Sequence, residues 1–193
     1  KNNRAFDFIL YTASLFHFLL LGFFLFGISN WNNLLDLAGR IVSMGILCGV
    51  FGINLAHELG HRTKSFEKFL SKALLLTSLY MHFYIEHNKG HHTRVSTPDD
   101  PASARRDESI FNFWIRSIWG SYWSAWLIAS NDAKKSKIRI HALANQMLIF
   151  QVIQIIFLSA IWIFLGLKAF VGFTLAALIG ILLLAVSYTH LRA

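Results

Sequence analysis

Between Ile140 and Tyr188 the chain carries one charged side chain, Lys168, with 28 charge-free residues before it and 20 after it. About 20 apolar residues in a helix cross the hydrocarbon core of a bilayer. Each run is therefore long enough for a crossing, and their junction at Lys168 predicts two crossings joined by a tight turn. Phe8 to Ile28, thick with Phe and Leu, gives a third, and Leu37 to Ala56, entered by Arg40 with its guanidinium near the headgroups, gives a fourth. Hydrocarbon offers the backbone no hydrogen bonds, so such segments are helices. The expected fold is all-α: an integral-membrane helical bundle with about four full crossings.

Composition agrees. Hydrophobic residues make up 55% of the chain and charged ones 15%. The net charge of +8 raises nucleic acid as a partner, but the basic residues lie between apolar runs rather than on a soluble surface, which excludes that reading. Of the 18 basic residues, only Arg40, Lys168 and Arg192 fall away from the segments flanking the histidines described next. The other 15, among them Lys1, Arg4, Arg62, Lys64, Lys134, Lys135, Lys137 and Arg139, place that side in the cytoplasm by the positive-inside rule. The lone cysteine, Cys48, sits in an apolar run and reads as a buried, inert thiol.

Two compact histidine groups follow the second crossing: His57-Glu58-Leu59-Gly60-His61, and Glu86-His87-Asn88-Lys89-Gly90-His91-His92. On an α-helix, residues four apart share a face, so His57 pairs with His61 and His87 with His91, each pair able to hold one metal. His92, about 100° further round, faces a second ion. Imidazole suits iron, copper, zinc and nickel. The first group alone also matches the zinc-protease pattern HExxH, with Glu58 as general base. Five imidazoles exceed the needs of one zinc, however, and point to two metals.

Between the groups, Ala73 to Ile85 is a charge-free run of 13 residues, short for a crossing. A full span there would leave the histidine groups about 30 Å apart on opposite faces. A re-entrant or interfacial helix carrying the histidine boxes is expected instead. Thr93 to Ser109 holds both prolines, Pro98 and Pro101, and reads as an ordered surface loop. Phe111 to Ala129, rich in Trp, has the composition of an interfacial helix, with a core helix as the alternative. Asn145, Gln146, Gln151 and Gln154 suggest interhelical hydrogen bonds. A lone His17 among Phe and Leu reads as a packed or hydrogen-bonded side chain, and His82 and His141 are left unassigned.

The segments HELGHR, EHNKGHHTRV and STPDDPASAR followed by ESIFNFW resemble the AlkB-type membrane alkane monooxygenases, within the wider superfamily of non-haem di-iron membrane desaturases and hydroxylases. The resemblance runs from the hairpin before His57 to the one after Arg139. It implies a cytoplasm-facing centre of two non-haem iron ions in a multi-pass protein of the bacterial inner membrane. That centre hydroxylates medium-chain n-alkanes at the terminal carbon, using dioxygen and electrons from rubredoxin. Carried over by motif, the metal ligands are His57, His61, His87, His91 and His92, with Glu58 and Glu86 orienting the rings. A relative acting on fatty acyl or methyl-aromatic substrates, an intramembrane zinc protease, and a histidine-rich metal transporter are the competing readings. Arg62 stands where the family has Lys, and Arg106-Asp107 departs from its small or apolar residues. The third histidine box of the family is not found in this sequence. The chain is therefore expected to be an internal fragment, inactive alone, with residues 1–186 a partial domain and Ser187 to Ala193, including His190, a non-native tail.

Overall fold

The computed structural model describes residues 4–136 and 141–190, and all regular elements among them are helical. Lys1, Lys137, Arg139 and Arg192 of the charge count, and the tail end at Ala193, lie outside the described residues. Three helical stretches, Arg4–Asn30, Leu34–Gly60 and Gln146–Ala185, are long and apolar enough to cross a membrane. The chain divides into two compact units, one comprising the residues up to Leu79 with Phe157–Leu183, the other Tyr80–Ile156 with the residues from Leu184.

In the first unit, α1 (Arg4–Gly27) ends in a short 3-10 turn, Ile28–Asn30. Asn33 then starts α2 (Leu34–Leu47), its side chain accepting from the amides of Leu35 and Asp36 at 2.9 and 3.2 Å. Two helix-terminal amides are satisfied in this way. The connection is pinned from three sides. Arg40 pairs with Asp36 at 2.9 Å and lies 4.4 Å over the Trp31 ring, and Lys168 donates to the Trp31 carbonyl at 2.6 Å. Arg40 and Lys168, set apart from the other basic residues by position in the sequence, thus meet at one turn.

A π-helical stretch, Cys48–Ile53, carries α2 into α3 (Asn54–Gly60). The sequence stretch Gly45-Ile46-Leu47-Cys48-Gly49 is the small-xxx-small pattern of close helix packing. Its glycines meet the second arm of the long helix α9 (Gln146–His190). A Cβ on Gly49 would lie 2.8 Å from the Gly180 carbonyl oxygen, and one on Gly45 2.7 Å from Ile179. Gly166, at φ 83° and ψ 175°, breaks α9. Phe157 and Phe173 are 16 residues apart, roughly 24 Å along a straight helix, yet their ring centroids are 5.5 Å apart. The helix therefore doubles back at Gly166, the tight turn expected beside Lys168. Leu21, Phe24, Ile28, Met44, Ile161 and Phe173 form the core of this unit.

His17 is buried, with Nε2 2.8 Å from the Thr77 hydroxyl. That hydroxyl donates to the Leu74 carbonyl at 2.6 Å, so the imidazole donates and Thr77 accepts. This is the hydrogen-bonded side chain expected from the sequence.

Two boundaries differ from the sequence expectation. The helix after the first histidine group is α4 (Ser65–Leu76). It takes in Glu67, Lys68 and Lys72 and stops well before Ile85, where the chain turns through Leu79 at φ 52°. The reason is Glu67: it is buried and accepts from the Tyr11 hydroxyl at 2.7 Å, so charge here did not mark an exit to water. At 12 residues α4 is about 18 Å long, too short to span. The second boundary concerns the crossing expected to begin at Ile140, which itself lies outside the described residues. Asn145 interrupts instead, capping α9 by accepting from the amides of Met147 and Leu148 at 3.0 and 3.3 Å, while α8 (His141–Ala144) precedes it.

In the second unit, α5 (Phe83–Ile85), a π-helical stretch Glu86–His91 and α6 (His92–Arg94) run together, followed by the loop to α7 (Ile110–Lys135). Asn145 donates to Ser130 at 3.3 Å, and Gln154 accepts from the Met81 amide at 3.2 Å. Two of the four polar residues expected to bond between helices thus bond to other parts of the chain, while Gln151 Nε2 is buried without such a bond.

The Gly49 and Gly180 approach generates a test. Gly180→Leu, which drives a side chain into Cys48 and the Gly45 carbonyl, should lower unfolding stability in detergent by roughly 1–3 kcal/mol. Gly22→Ala, with open space at its Cβ, should leave it unchanged.

Candidate metal centre

The first histidine group occupies the end of α3. One helical turn separates His57 from His61, the C-cap residue, and their Nε2 atoms approach to 3.2 Å with the rings perpendicular at 89°. At metal–nitrogen distances of about 2.0–2.1 Å, two ligands at a right angle around one ion hold their nitrogens about 3 Å apart. The pair has the bite of a chelate. Arg62 ties this end of α3 to Glu58 at 3.3 Å and to Asp7 of α1 at 3.2 Å, and Ser71 of α4 donates to the Ala56 carbonyl at 2.6 Å. Glu58 is thus turned toward Arg62.

The second group departs from the regular-helix expectation. Glu86–His91 is π-helical, and in a π-helix the hydrogen-bonded neighbours are five apart, not four. The nitrogens that meet are accordingly those of His87 and His92, Nε2 to Nε2, at 3.0 Å. His87 and His91 instead stack, with centroids 5.4 Å apart and planes 23° apart. Phe83 stacks on the other side of His87 at 4.8 Å.

The widened turn leaves carbonyls to satisfy, and side chains supply the donors. Asn88 reaches the Tyr84 carbonyl at 2.8 Å, and Thr93 reaches those of Lys89 and Gly90 at 3.0 and 2.8 Å. Gly90 faces the Glu86 carboxylate so closely that a Cβ would overlap it. Glu86 is buried and accepts from Arg94 at 2.7 Å, while Arg94 also donates to Ser124 of α7 at 2.6 Å. Burial pushes the Glu86 carboxyl up to about 7, against the opposing pull of Ser124 and Arg94. His82, unassigned from sequence, is buried edge-on to Tyr122 at 5.3 Å; burial pushes it down to about 3 and keeps it neutral.

His91 takes its orientation from a residue that sequence reasoning missed. Its Nδ1 lies 2.9 Å from Oδ2 of Asp100. A carboxylate only accepts, so Nδ1 carries the proton and Nε2 is left as the ligating nitrogen. A carboxylate behind the ring is the usual support of a metal-bound histidine. Asp100 is itself fully buried, accepting from the Ala102 amide at 3.0 Å and from the Ser103 hydroxyl. The signal was present in Asp100-Pro101-Ala102-Ser103: aspartate accepting two residues on is an Asx turn. His87, His91 and Glu86 share a small cavity of about 30 Å³ with Tyr80, Phe83 and Phe113.

Residues 31–192 match the family model described as fatty acid desaturase, most of the chain. The chain belongs to the fatty acid desaturase family. Among curated relatives, alkane 1-monooxygenase 1 of Alcanivorax borkumensis is 37% identical over 65% of this chain and 31% of its own length. Alkane 1-monooxygenase of Ectopseudomonas oleovorans is 36% identical over 71% of this chain and 34% of its own length. The xylene/toluene monooxygenase hydroxylase component XylM of Pseudomonas putida is 30% identical over 53% and 29%. The chain spans about a third of the length of these relatives. With its long apolar helices, this desaturase-family chain is a multi-pass membrane protein.

The loop that carries Asp100 is closed by Glu108, which Arg116 of α7 grips at 2.7 and 2.5 Å. Hydrogen bonding to Arg116 holds the Glu108 carboxyl below the usual carboxylate range, with burial pulling the other way. A depressed carboxyl contributes stability that is complete above about pH 4.3 and is lost as pH falls through the lowered value. Hydrogen-exchange protection of the 100–108 amides, corrected for intrinsic rates, should therefore hold from neutral pH down into that range and then fall. In Glu108→Gln that acid-dependent loss should be absent.

Proposed function

We propose that the protein of which this chain is part is a membrane alkane 1-monooxygenase. It inserts one oxygen atom of dioxygen into the terminal C–H bond of a medium-chain n-alkane, and two electrons and two protons reduce the other atom to water. The observation that carries this reading is the donor set. His57 with His61, and His87 with His92, each present two imidazole nitrogens at chelating distance, and His91 is held in the ligating tautomer by Asp100. The five histidines together hold two non-haem iron ions, which when bound supply the activation of dioxygen. An all-nitrogen set without thiolate suits iron better than an iron–sulfur cluster.

The chain's own residues do the remaining work. Glu86 and Arg94 brace the widened turn from which His87 and His92 project. An apolar bundle of this composition supplies a dry channel that an alkane enters directly from the bilayer. Rubredoxin delivers the electrons on the cytoplasmic side of the bacterial inner membrane, where the basic segments Lys134, Lys135, Lys137 and Arg139 lie by the positive-inside rule. Glu58 engages Arg62, which argues against its service as the general base of a zinc protease. Hydroxylation of a methyl group on an aromatic ring is the second reading, favoured by the similarity to the XylM component.

Expression of the complete gene in a host supplying rubredoxin should convert n-alkanes into 1-alkanols, detected by gas chromatography; a purified protein with one zinc and no iron would overturn the proposal. His91→Ala should lower iron content, measured by elemental analysis, and unchanged occupancy would remove His91 from the ligands. Protease access to the 97–109 loop from the periplasmic face would reverse the orientation.

A further inference from the structure

Arg116 does more than close a loop. Its guanidinium lies on α7, 25 positions along the chain from His91, and makes four hydrogen bonds that converge on the segment bearing Asp100. One guanidinium nitrogen donates to the Pro101 carbonyl at 3.1 Å and another to the Ser103 carbonyl at 2.9 Å. Nε and the second of these terminal nitrogens also grip both oxygens of Glu108, at 2.7 and 2.5 Å. Pro101 and Ser103 flank the Asx turn through which Asp100 accepts the Ala102 amide at 3.0 Å. Four residues on from Arg116, and so on the same face of α7, Gly120 lets the Pro101 ring approach to where a Cβ would lie 2.6 Å from it. The turn is thus seated on the helix by a bidentate fork at one end and a missing side chain at the other. Asp100, fully buried, is thereby aimed at His91.

We infer that Arg116 is a positioning residue for the metal centre: by fixing the backbone near Asp100, it sets which nitrogen of His91 carries the proton and which is the unprotonated, ligating one. The metal consequence rests on His91 as an iron ligand, but the tautomer does not. A planar fork is required because four oxygens from three residues must be met at once. A lysine ammonium at the same place reaches only part of that set.

The test reads the tautomer without metal. The chain, labelled with ¹⁵N-histidine and held in lipid nanodiscs at about pH 8.5, where an ordinary imidazole is neutral, gives ring-nitrogen shifts that separate protonated from bare nitrogens. His91 is assigned by its loss in His91→Gln. In the unsubstituted chain Nδ1 of His91 should be protonated. In Arg116→Gln and in Asp100→Asn the His91 signals should move toward the Nε2-protonated form, while those of His57 and His61 stay in place; Arg116→Lys should restore the first pattern only in part. An unchanged His91 tautomer in Arg116→Gln, with helix content intact by circular dichroism, overturns the inference. Should Arg116→Gln not fold, Glu108→Gln loosens the same fork and should produce a smaller shift in the same direction, with no shift again overturning it. Ferrous iron titration separates the two claims. A loss of affinity of about 10–100-fold in Arg116→Gln is the expected outcome. A shifted tautomer with unaltered iron affinity leaves Arg116 as the positioning residue and removes His91 from the ligands.

Discussion

Hydrocarbon supplies no hydrogen bonds, so each departure from a regular α-helix in a membrane chain needs a partner for the backbone groups it releases. This chain departs from regularity at several places and supplies side-chain partners at four of them. The π-helical Cys48–Ile53 segment is met by the Ser78 hydroxyl on the Cys48 carbonyl at 3.5 Å and by Asn54 on the Val50 carbonyl at 2.9 Å. The turn after α1 receives Lys168, the turn through Met81 receives Gln154, and the π-turn of the second histidine group receives Asn88 and Thr93. Polar residues scattered through apolar sequence are therefore markers of where the backbone bends.

That rule explains what was legible in the sequence. The long charge-free runs and the hairpin beside Lys168 followed from length and the dielectric of lipid alone. The five histidines were visible as a donor set, and the pairing of His57 with His61 followed from α-helical spacing. The pairing within the second group did not, because the spacing argument assumes 3.6 residues per turn. A single widened turn moves the partner of His87 from His91 to His92, a change that the histidine spacing alone does not signal. Glu67 misled in the same way: a charge among apolar residues reads as an exit to water until Tyr11, 56 positions earlier, is found bonded to it.

The widened turn also divides labour among the histidines. A regular helix would give His87 and His91 equivalent places on one face. Here His87 and His92 converge through their Nε2 atoms, while His91 stacks on His87 and reaches back with Nδ1 to Asp100. One ring of the group is thus oriented by a carboxylate from the loop that follows, nine positions on, and the other two are brought together by local backbone geometry. A site built this way depends on two separate supports, the π-turn and the loop, whose failures have different signatures.

The helix that holds the loop, α7, has its amphipathicity inverted. Apart from Phe113, its buried positions are small and often hydroxylic: Ser117, Ser121, Ser124, Ala125, Ala129 and Ala133. Phe111, Ile115, Trp119, Trp123 and Leu127, spaced four apart, form an exposed stripe. A water-soluble helix would bury that stripe and expose the serines. The inversion is stable where the surrounding medium accepts large apolar and indole side chains, as the membrane interface does. It also has a structural use, since small residues on the inner face let Pro101 seat against Gly120 and let Arg94 reach Ser124. The two faces of α7 thus have separate uses: the exposed stripe suits an apolar medium, and the small residues of the opposite face let the loop and the histidine turn pack against the helix.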